Sequence, residues 1–366
     1  MTGVPSLKEK LQARIREVGP ITFCEWMNAA LYDFEHGYYC APDRVRWGRE
    51  GDYRTSPERT ELFANTFARY AQERYRDLGE PPVWTFLEAG AGSGDFALGF
   101  LRRLQQLDQR CFQTCRYVID EKSEALRALI GKRQDQLLER IELSAIETGD
   151  TFEGIVFANE LLDAFPVHRV TWRDGRLLEY FVTVDDNGAF EWQLGGVSTD
   201  NLHGYFQRLG LKPRDQQIVE VNLGIQGWFK GVREKLSRGF QIVIDYGAEG
   251  DELLLSPSRQ SGTLRAIRRH QLVPDVFAHP GEQDLTTTID WTYVESIAVD
   301  YGFYVKEFLS QDKFLLKSGV LEELESRLSR AESEAEKQQI SGEAREMILP
   351  TGMAAAFQVL VLAKDI

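Results

Sequence analysis

Cysteine and histidine are scarce, with four of one and five of the other in 366 residues. The cysteines, Cys24, Cys40, Cys111 and Cys115, form no C-x-x-C pair, and so few histidines leave little from which to build a metal site. Buried free thiols in a reducing compartment are the expectation, with no disulfide and no metal ion. Basic side chains are also in deficit: 43 lysines and arginines against 57 acids give a formal charge of −14. A surface of that sign repels nucleic-acid phosphates and anionic lipid, and it draws in a basic protein segment. Long apolar runs are missing too, since nothing approaches the about 18 residues of a membrane span. The opening stretch MTGVPSLKEKLQARIREVGP contains acids and sets Leu7, Leu11, Ile15 and Val18 on one helical stripe, without the apolar centre of a signal peptide. A cytoplasmic protein is expected.

The length exceeds the ~100–200 residues of one ordinary domain, so a full core with an insertion or a second small domain should be present. From 6 to about 80 the apolar spacing is helical, broken by HGYYC and by GREGDYRTSPE. In the latter, Ser56 with Pro57, or Thr55 with Glu58, signals a helix start. Alternation follows: the strand-like VWTFLEA, CRYVIDE, IELSAI and GIVFAN are separated by helical stretches, and GIVFAN leads into ELLDAF. Such alternation implies right-handed crossovers and a mostly parallel sheet covered on both faces. After Pro166 the character changes to an antiparallel meander, with turns at Asp174-Gly175 and Asn187-Gly188. FQIVIDYG restores a central strand. A strand pair near the end brackets a charged helical stretch at 320–348, a solvated amphipathic helix or a surface for self-association into a homo-oligomer.

The stretch TFLEAGAGSGDF runs a strand into Gly90, Gly92 and Gly94 and then a helix. Free backbone N–H groups and a helix dipole at the carboxyl edge of an α/β sheet form a ligand site. The glycine spacing does not match the G-x-G-x-x-G dinucleotide fingerprint, and no Lys-Ser or Lys-Thr follows to make a P-loop. Glu88, at the strand's end, would repel a pyrophosphate but suits a ligand bearing an ammonium and a sulfonium, as S-adenosylmethionine does. At the end of the next strand Glu121, with Asp120 as the alternative, can accept from both ribose hydroxyls, a need shared with nicotinamide cofactors.

Eight motifs in order carry a resemblance: GYY, GDYRTSPE, LEAGAGSGDF, FANELLDAFPV, VIDYG, GTLRAIRRH, GEQDLTTTIDW and LPTGMAAAFQVLVL. Together they span nearly the whole chain and resemble the MidA family of S-adenosylmethionine-dependent methyltransferases. The mitochondrial member of that family is a complex I assembly factor that methylates arginine. The resemblance implies a class I methyltransferase, Rossmann-like α/β fold: a seven-stranded, mostly parallel sheet with a reversed strand near the end. It also implies an N-terminal helical cap over 1–80, a methyltransferase domain over 81–165 and 218–366, and an inserted antiparallel element over 166–217. Cofactor contacts would come from Glu88, Gly90, Gly92, Gly94, Glu121 and Asn159.

Methyl transfer from a sulfonium is an in-line displacement that mainly requires positioning and the exclusion of water. An arginine acceptor is donor-only and cationic, so carboxylates must orient it. Glu160 and Asp163 follow the fourth strand and are the first candidates; Asn159 or Glu160 could instead cap the next helix. His270 could take the proton released or be a surface histidine. Asp290 and Asp284 could line the acceptor cleft, or Asp284 could serve a turn. Ser56 and Glu58 are helix caps or closures over the cofactor. A non-catalytic assembly factor that retains the pocket is the rival reading, and a nicotinamide-dependent dehydrogenase is disfavoured by the glycine spacing and Glu88.

Overall fold

The structure, a computed structural model, describes residues 5–42, 46, 60–133, 135–145, 150–349 and 353–366. Thr55, Ser56 and Glu58 lie outside the described residues.

A mixed sheet forms the centre. Its strands are β1 (Trp84–Ala89), β2 (Cys115–Asp120), β3 (Ile141–Leu143), β4 (Phe152–Asn159), β5 (Leu236–Ala248), β6 (Ile289–Asp290), β7 (Tyr304–Ser310) and β8 (Phe357–Lys364). Seven run in the order β7-β8-β5-β4-β1-β2-β3, while the two-residue β6 pairs beside the end of β5. The β5-β4, β4-β1, β1-β2 and β2-β3 pairings are parallel. β8 is antiparallel to both of its neighbours and is therefore the reversed strand.

Every residue of β1 is buried, as a central strand covered on both faces must be. Successive side chains alternate between two cores. Phe86 enters an aromatic cluster with Phe96, Phe100, Tyr117 and Phe157, in which the Phe96 and Phe157 rings stack at 4.4 Å. Leu87 enters the opposite core with Val118, Val156, Val243 and residues of the helices Gly224–Lys235 and Trp291–Asp300. By this alternation Glu88 belongs to the Phe86 face.

The N-terminal helices Leu7–Val18 and Phe23–Tyr32 each start on a reciprocal capping box, Ser6 with Glu9 and Thr22 with Glu25. Leu7, Leu11 and Ile15 are buried as expected, whereas Val18 is exposed at the helix end. These helices pack with the post-166 segment around a third core. In that segment His168–Arg173, Arg176–Val184, Phe190–Gly196 and Ile218–Val221 form an antiparallel sheet, and Ile21–Thr22 joins it through Val182 and Phe181. Both residues of the Asp174-Gly175 turn have positive φ, 50° and 75°, as a two-residue hairpin turn that follows strand twist requires. A further small sheet, Arg265–Arg268, Gln271–Val273 and Asp284–Thr286, was not apparent in the sequence.

Two expectations need correction. ELLDAF supplies no long helix: only a single 3-10 turn forms at Leu162–Ala164. The charged stretch at 320–348 is two helices, Val320–Arg330 and Glu334–Ile348, the second capped by Ser333. All four cysteines are free, but only Cys111 and Cys115 are buried; Cys24 and Cys40 are half-exposed. Burial pushes the Cys115 thiol up to about 12, so it stays protonated.

Candidate active site

A cavity of about 940 Å³ opens at the carboxyl ends of β1, β2 and β4. Its wall gathers residues that the sequence separates widely: Glu88, Gly90, Gly92, Asp120, Glu121, Asn159, Glu160, Asp163 and Asp284 all line it. Of the site candidates among the described residues, Gly94, His270 and Asp290 are absent from the wall.

The glycine loop is shaped by backbone conformation. Gly90, Gly92 and Gly94 have φ of 70°, 53° and 76°, the left-handed region where a Cβ is strained. A Cβ on Gly90 would meet Leu161 Cδ1 at 2.8 Å, and one on Gly94 would press on Ile130 at 3.1 Å. Gly94 therefore serves packing against the helix Glu124–Gly131, while the backbone of Gly90 and Gly92 borders the cavity.

Glu88 is buried and accepts a 2.7 Å hydrogen bond from the Tyr117 hydroxyl. Burial pushes its carboxyl up to about 8; the Tyr117 bond opposes this, and Glu121 and Asp95 reinforce it. One hydrogen bond does not offset that desolvation, and a cation arriving in the cavity would. Glu121 accepts from the Ser123 N–H at 2.9 Å and the Gly92 N–H at 3.4 Å, and burial raises its pKa. A carboxylate in that position can take hydroxyl donors. The cavity thus fits a nucleoside bearing a diol at one end and a cationic amino-acid portion at the other. Glu88, Gly90, Gly92 and Glu121 would hold it.

On the other side of the cavity, Glu160 stands in the left-handed region with φ of 50° and donates its N–H to the Ile244 carbonyl at 2.9 Å. A non-glycine residue there costs about 1 kcal/mol or more and persists where surrounding structure enforces it, typically at functional sites. The chain then turns sharply. The fully buried Asp245 carboxylate of β5 accepts from the N–H groups of Leu162 (3.0 Å) and Asp163 (3.2 Å) through Oδ2, and from that of Tyr246 (3.0 Å) through Oδ1. The Asp245 carboxylate caps the single turn that follows, Pro166 keeps Phe165 extended and stops the turn there, and Glu160 and Asp163 reach the cavity wall.

Asp163 is buried. Its Oδ2 accepts from Thr286 Oγ1 at 2.7 Å, while Oδ1 has no hydrogen-bond partner among the described residues. Burial raises its pKa against the hydroxyls of Thr286 and Tyr246 and the Arg265 guanidinium. Burial also raises that of Asp245, and the negative charges of Asp163 and Glu160 add to it. Asn159 donates to Glu160 Oε1 at 3.3 Å, and its own Oδ1 has no hydrogen-bond partner among the described residues.

His270 is exposed at the turn between Arg265–Arg268 and Gln271–Val273, with φ of 61°. Asp290 caps the helix Trp291–Asp300, its Oδ1 accepting from the Tyr293 N–H at 3.1 Å and its Oδ2 from the Tyr205 hydroxyl. Capping accounts for the burial of Asp290. Conversely, sequence reading missed Tyr32, Tyr246, Thr286 and Trp228 on the wall, and Asp245 behind it. The quoted motifs VIDYG and GEQDLTTTIDW contain Asp245, Tyr246 and Thr286, but nothing local says that they converge.

With the geometry in place, similarity to known proteins becomes informative. A family described as putative S-adenosyl-L-methionine-dependent methyltransferases matches residues 66–309. The chain is 28% identical to a Drosophila melanogaster protein named as a mitochondrial protein arginine methyltransferase NDUFAF7 homolog, covering 99% of this chain and 85% of the relative. It is 24% identical to the human mitochondrial protein arginine methyltransferase NDUFAF7, over 98% and 83% respectively. A crystal structure from Burkholderia thailandensis, described as a COG1565 superfamily member and likely methyl transferase bound to S-adenosyl-homocysteine, superposes with a TM-score of 0.86 at 28% identity. It covers 98% of this chain and 92% of its own. A buried acid beside a glycine loop, a carboxylate just past the end of the next strand and a family match over most of the chain converge on one assignment: this chain belongs to the S-adenosyl-L-methionine-dependent methyltransferases.

Proposed function

We propose that this methyltransferase acts on arginine side chains of a protein, with Glu160 and Asp163 on the acceptor side of the cavity. The observation that carries the reading is the strained, cavity-facing Glu160 next to a buried Asp163 with one carboxylate oxygen that has no hydrogen-bond partner among the described residues. A donor-only, permanently charged guanidinium is the acceptor that two such carboxylates match, through charge-assisted and bidentate hydrogen bonds. When bound, S-adenosylmethionine supplies an electrophilic methyl group on a sulfonium. The protein's part is to hold the acceptor in line, exclude water and favour charge on the guanidinium nitrogens that are not attacked.

The path β7-β8-β5-β4-β1-β2-β3 with β8 reversed supports the class I description of the fold. The relatives' names support arginine as the acceptor. The net charge of −14 supports a basic segment in the partner, and a role in respiratory complex I assembly is part of the same proposal. The test is methyl-labelling of a cell extract by the purified protein beside two variants. Gly92→Val abolishes cofactor binding because a branched side chain cannot adopt a φ of 53° at the nucleoside's approach. Glu160→Gln keeps cofactor binding and loses labelling. Labelling that survives both substitutions would refute this site.

A further inference from the structure

The turn HGYYC reaches into the cavity from the N-terminal region. Tyr39 lines the wall with Tyr32, and the two rings stack at 5.5 Å with 25° between their planes. The Tyr39 hydroxyl donates to Asp284 Oδ1 at 2.9 Å, across 245 residues of sequence. Its carbonyl accepts from Ser123 Oγ at 2.7 Å, and the Ser123 N–H is held by Glu121, the diol-accepting carboxylate. A continuous hydrogen-bonded path therefore runs from the nucleoside end of the cavity through Tyr39 to Asp284. Along the strand Asp284–Thr286, residues two apart share a face, and Thr286 is the residue bonded to Asp163. Asp284 and Asp163 thus belong to one chamber, and the negative charges of both act on the buried Tyr32 hydroxyl. Both acids are buried.

Resting on the arginine reading above, we infer that Asp284 and Asp163 form the subsite for the acceptor guanidinium, with Tyr32 and Tyr39 as its aromatic floor and Tyr39 as the residue that positions Asp284. Two carboxylates and a pair of stacked rings recognise a flat, delocalised cation better than a compact ammonium. The planar group can lie on a ring face while its N–H fork meets both acids. The chamber consequently selects arginine over lysine, and the Ser123 link ties its shape to occupancy of the nucleoside end.

The test uses the full-length protein saturated with S-adenosylhomocysteine, with N-ethylguanidinium and n-butylammonium as probes in an NMR or calorimetric titration. The wild type is expected to bind the guanidinium about tenfold more tightly than the ammonium. Asp284→Asn should weaken guanidinium binding by about tenfold or more. Tyr39→Phe, which keeps the ring, should weaken it about three- to fivefold and narrow the preference between the cations, as loss of one hydrogen bond does. In both variants the affinity for S-adenosylhomocysteine should change less than twofold, which also reports that they fold. Equal binding of the two cations by the wild type, wild-type cation binding by Asp284→Asn, or a parallel loss of S-adenosylhomocysteine affinity in Tyr39→Phe would each overturn the inference. The labelling outcomes for Gly92→Val and Glu160→Gln are measured separately, so failure of this subsite is distinguishable from failure of the arginine reading on which it rests.

Discussion

Glu88 illustrates how a single residue carries both a cost and a function. Its carboxyl is pushed up to about 8 by burial, against an ordinary value near 4.5. Between those two values the folded protein keeps a proton that the unfolded chain has released, so the contribution of Glu88 is fully present below pH 4.5 and is lost as pH rises through 8. Glu88→Gln should therefore leave stability near pH 4.5 unchanged and raise it at pH 8.5, a difference read from Tm values at the two pH values. A cationic ligand reverses the preference, so S-adenosylmethionine binding at pH 7 should release protons from the wild type and fewer from Glu88→Gln. Calorimetry in buffers of different ionisation enthalpy measures this; identical proton release by both proteins would remove Glu88 from that role. Glu88, Gly90, Gly92 and Glu121 could be placed at the cavity from sequence because each sits at a fixed offset from a strand end, whereas Gly94 turned out to serve helix packing. Asp290 and His270 were not readable in the same way: whether an acid caps a helix or faces a ligand depends on what the fold brings beside it. Here that neighbour is Tyr205, 85 residues away.

At the scale of elements, the strand-helix alternation was legible because apolar period and turn residues are local signals. The exception after β4 turns on Pro166, which holds Phe165 extended and stops the chain after one turn; hidden from local reading is the Asp245 carboxylate that caps the N–H groups of Leu162 and Asp163. Another hidden constraint lies where β1, β4 and β5 begin. A Cβ at Gly154 (φ 153°) would fall 1.9 Å from the Thr85 carbonyl oxygen, and one at Gly239 (φ 145°) equally close to the Gly154 oxygen. Gly154→Ala is accordingly expected to yield no soluble protein with a cooperative thermal transition, while Gly175→Ala, in an open turn with positive φ, costs only about 1 kcal/mol. The helix Val320–Arg330, which reads as solvated, is anchored by the buried Glu323. Its carboxylate pairs with Arg69 at 2.9 Å and Arg103 at 2.7 Å, on the helices Glu61–Asp77 and Asp95–Leu107. Removing it strands the poorly exposed Arg103 guanidinium, so Glu323→Ala should cost about 3–5 kcal/mol in urea denaturation.

For the whole molecule, the excess of 14 negative charges was visible from composition, and its use follows from the fold. The cavity wall adds its own acids to that background, so the basic acceptor proposed above would be steered in by charge. With an arginine-containing basic peptide, kcat/KM should fall about three- to tenfold as ionic strength rises from about 0.05 to about 0.3 M, whereas S-adenosylhomocysteine affinity should move little. Asp163 and Asp284 were readable as acceptor-side candidates, but their convergence with Tyr39 and Asp245 was beyond sequence reading. It joins the N-terminal turn, the ends of two central strands and a small sheet that the apolar pattern did not announce. The most direct measurement is identification of the methylated amino acid, by tandem mass spectrometry of the protein that the wild type labels and Glu160→Gln does not. Methylarginine on that protein is the predicted result. Label on lysine, on another residue type or on a non-protein molecule would contradict the assignment.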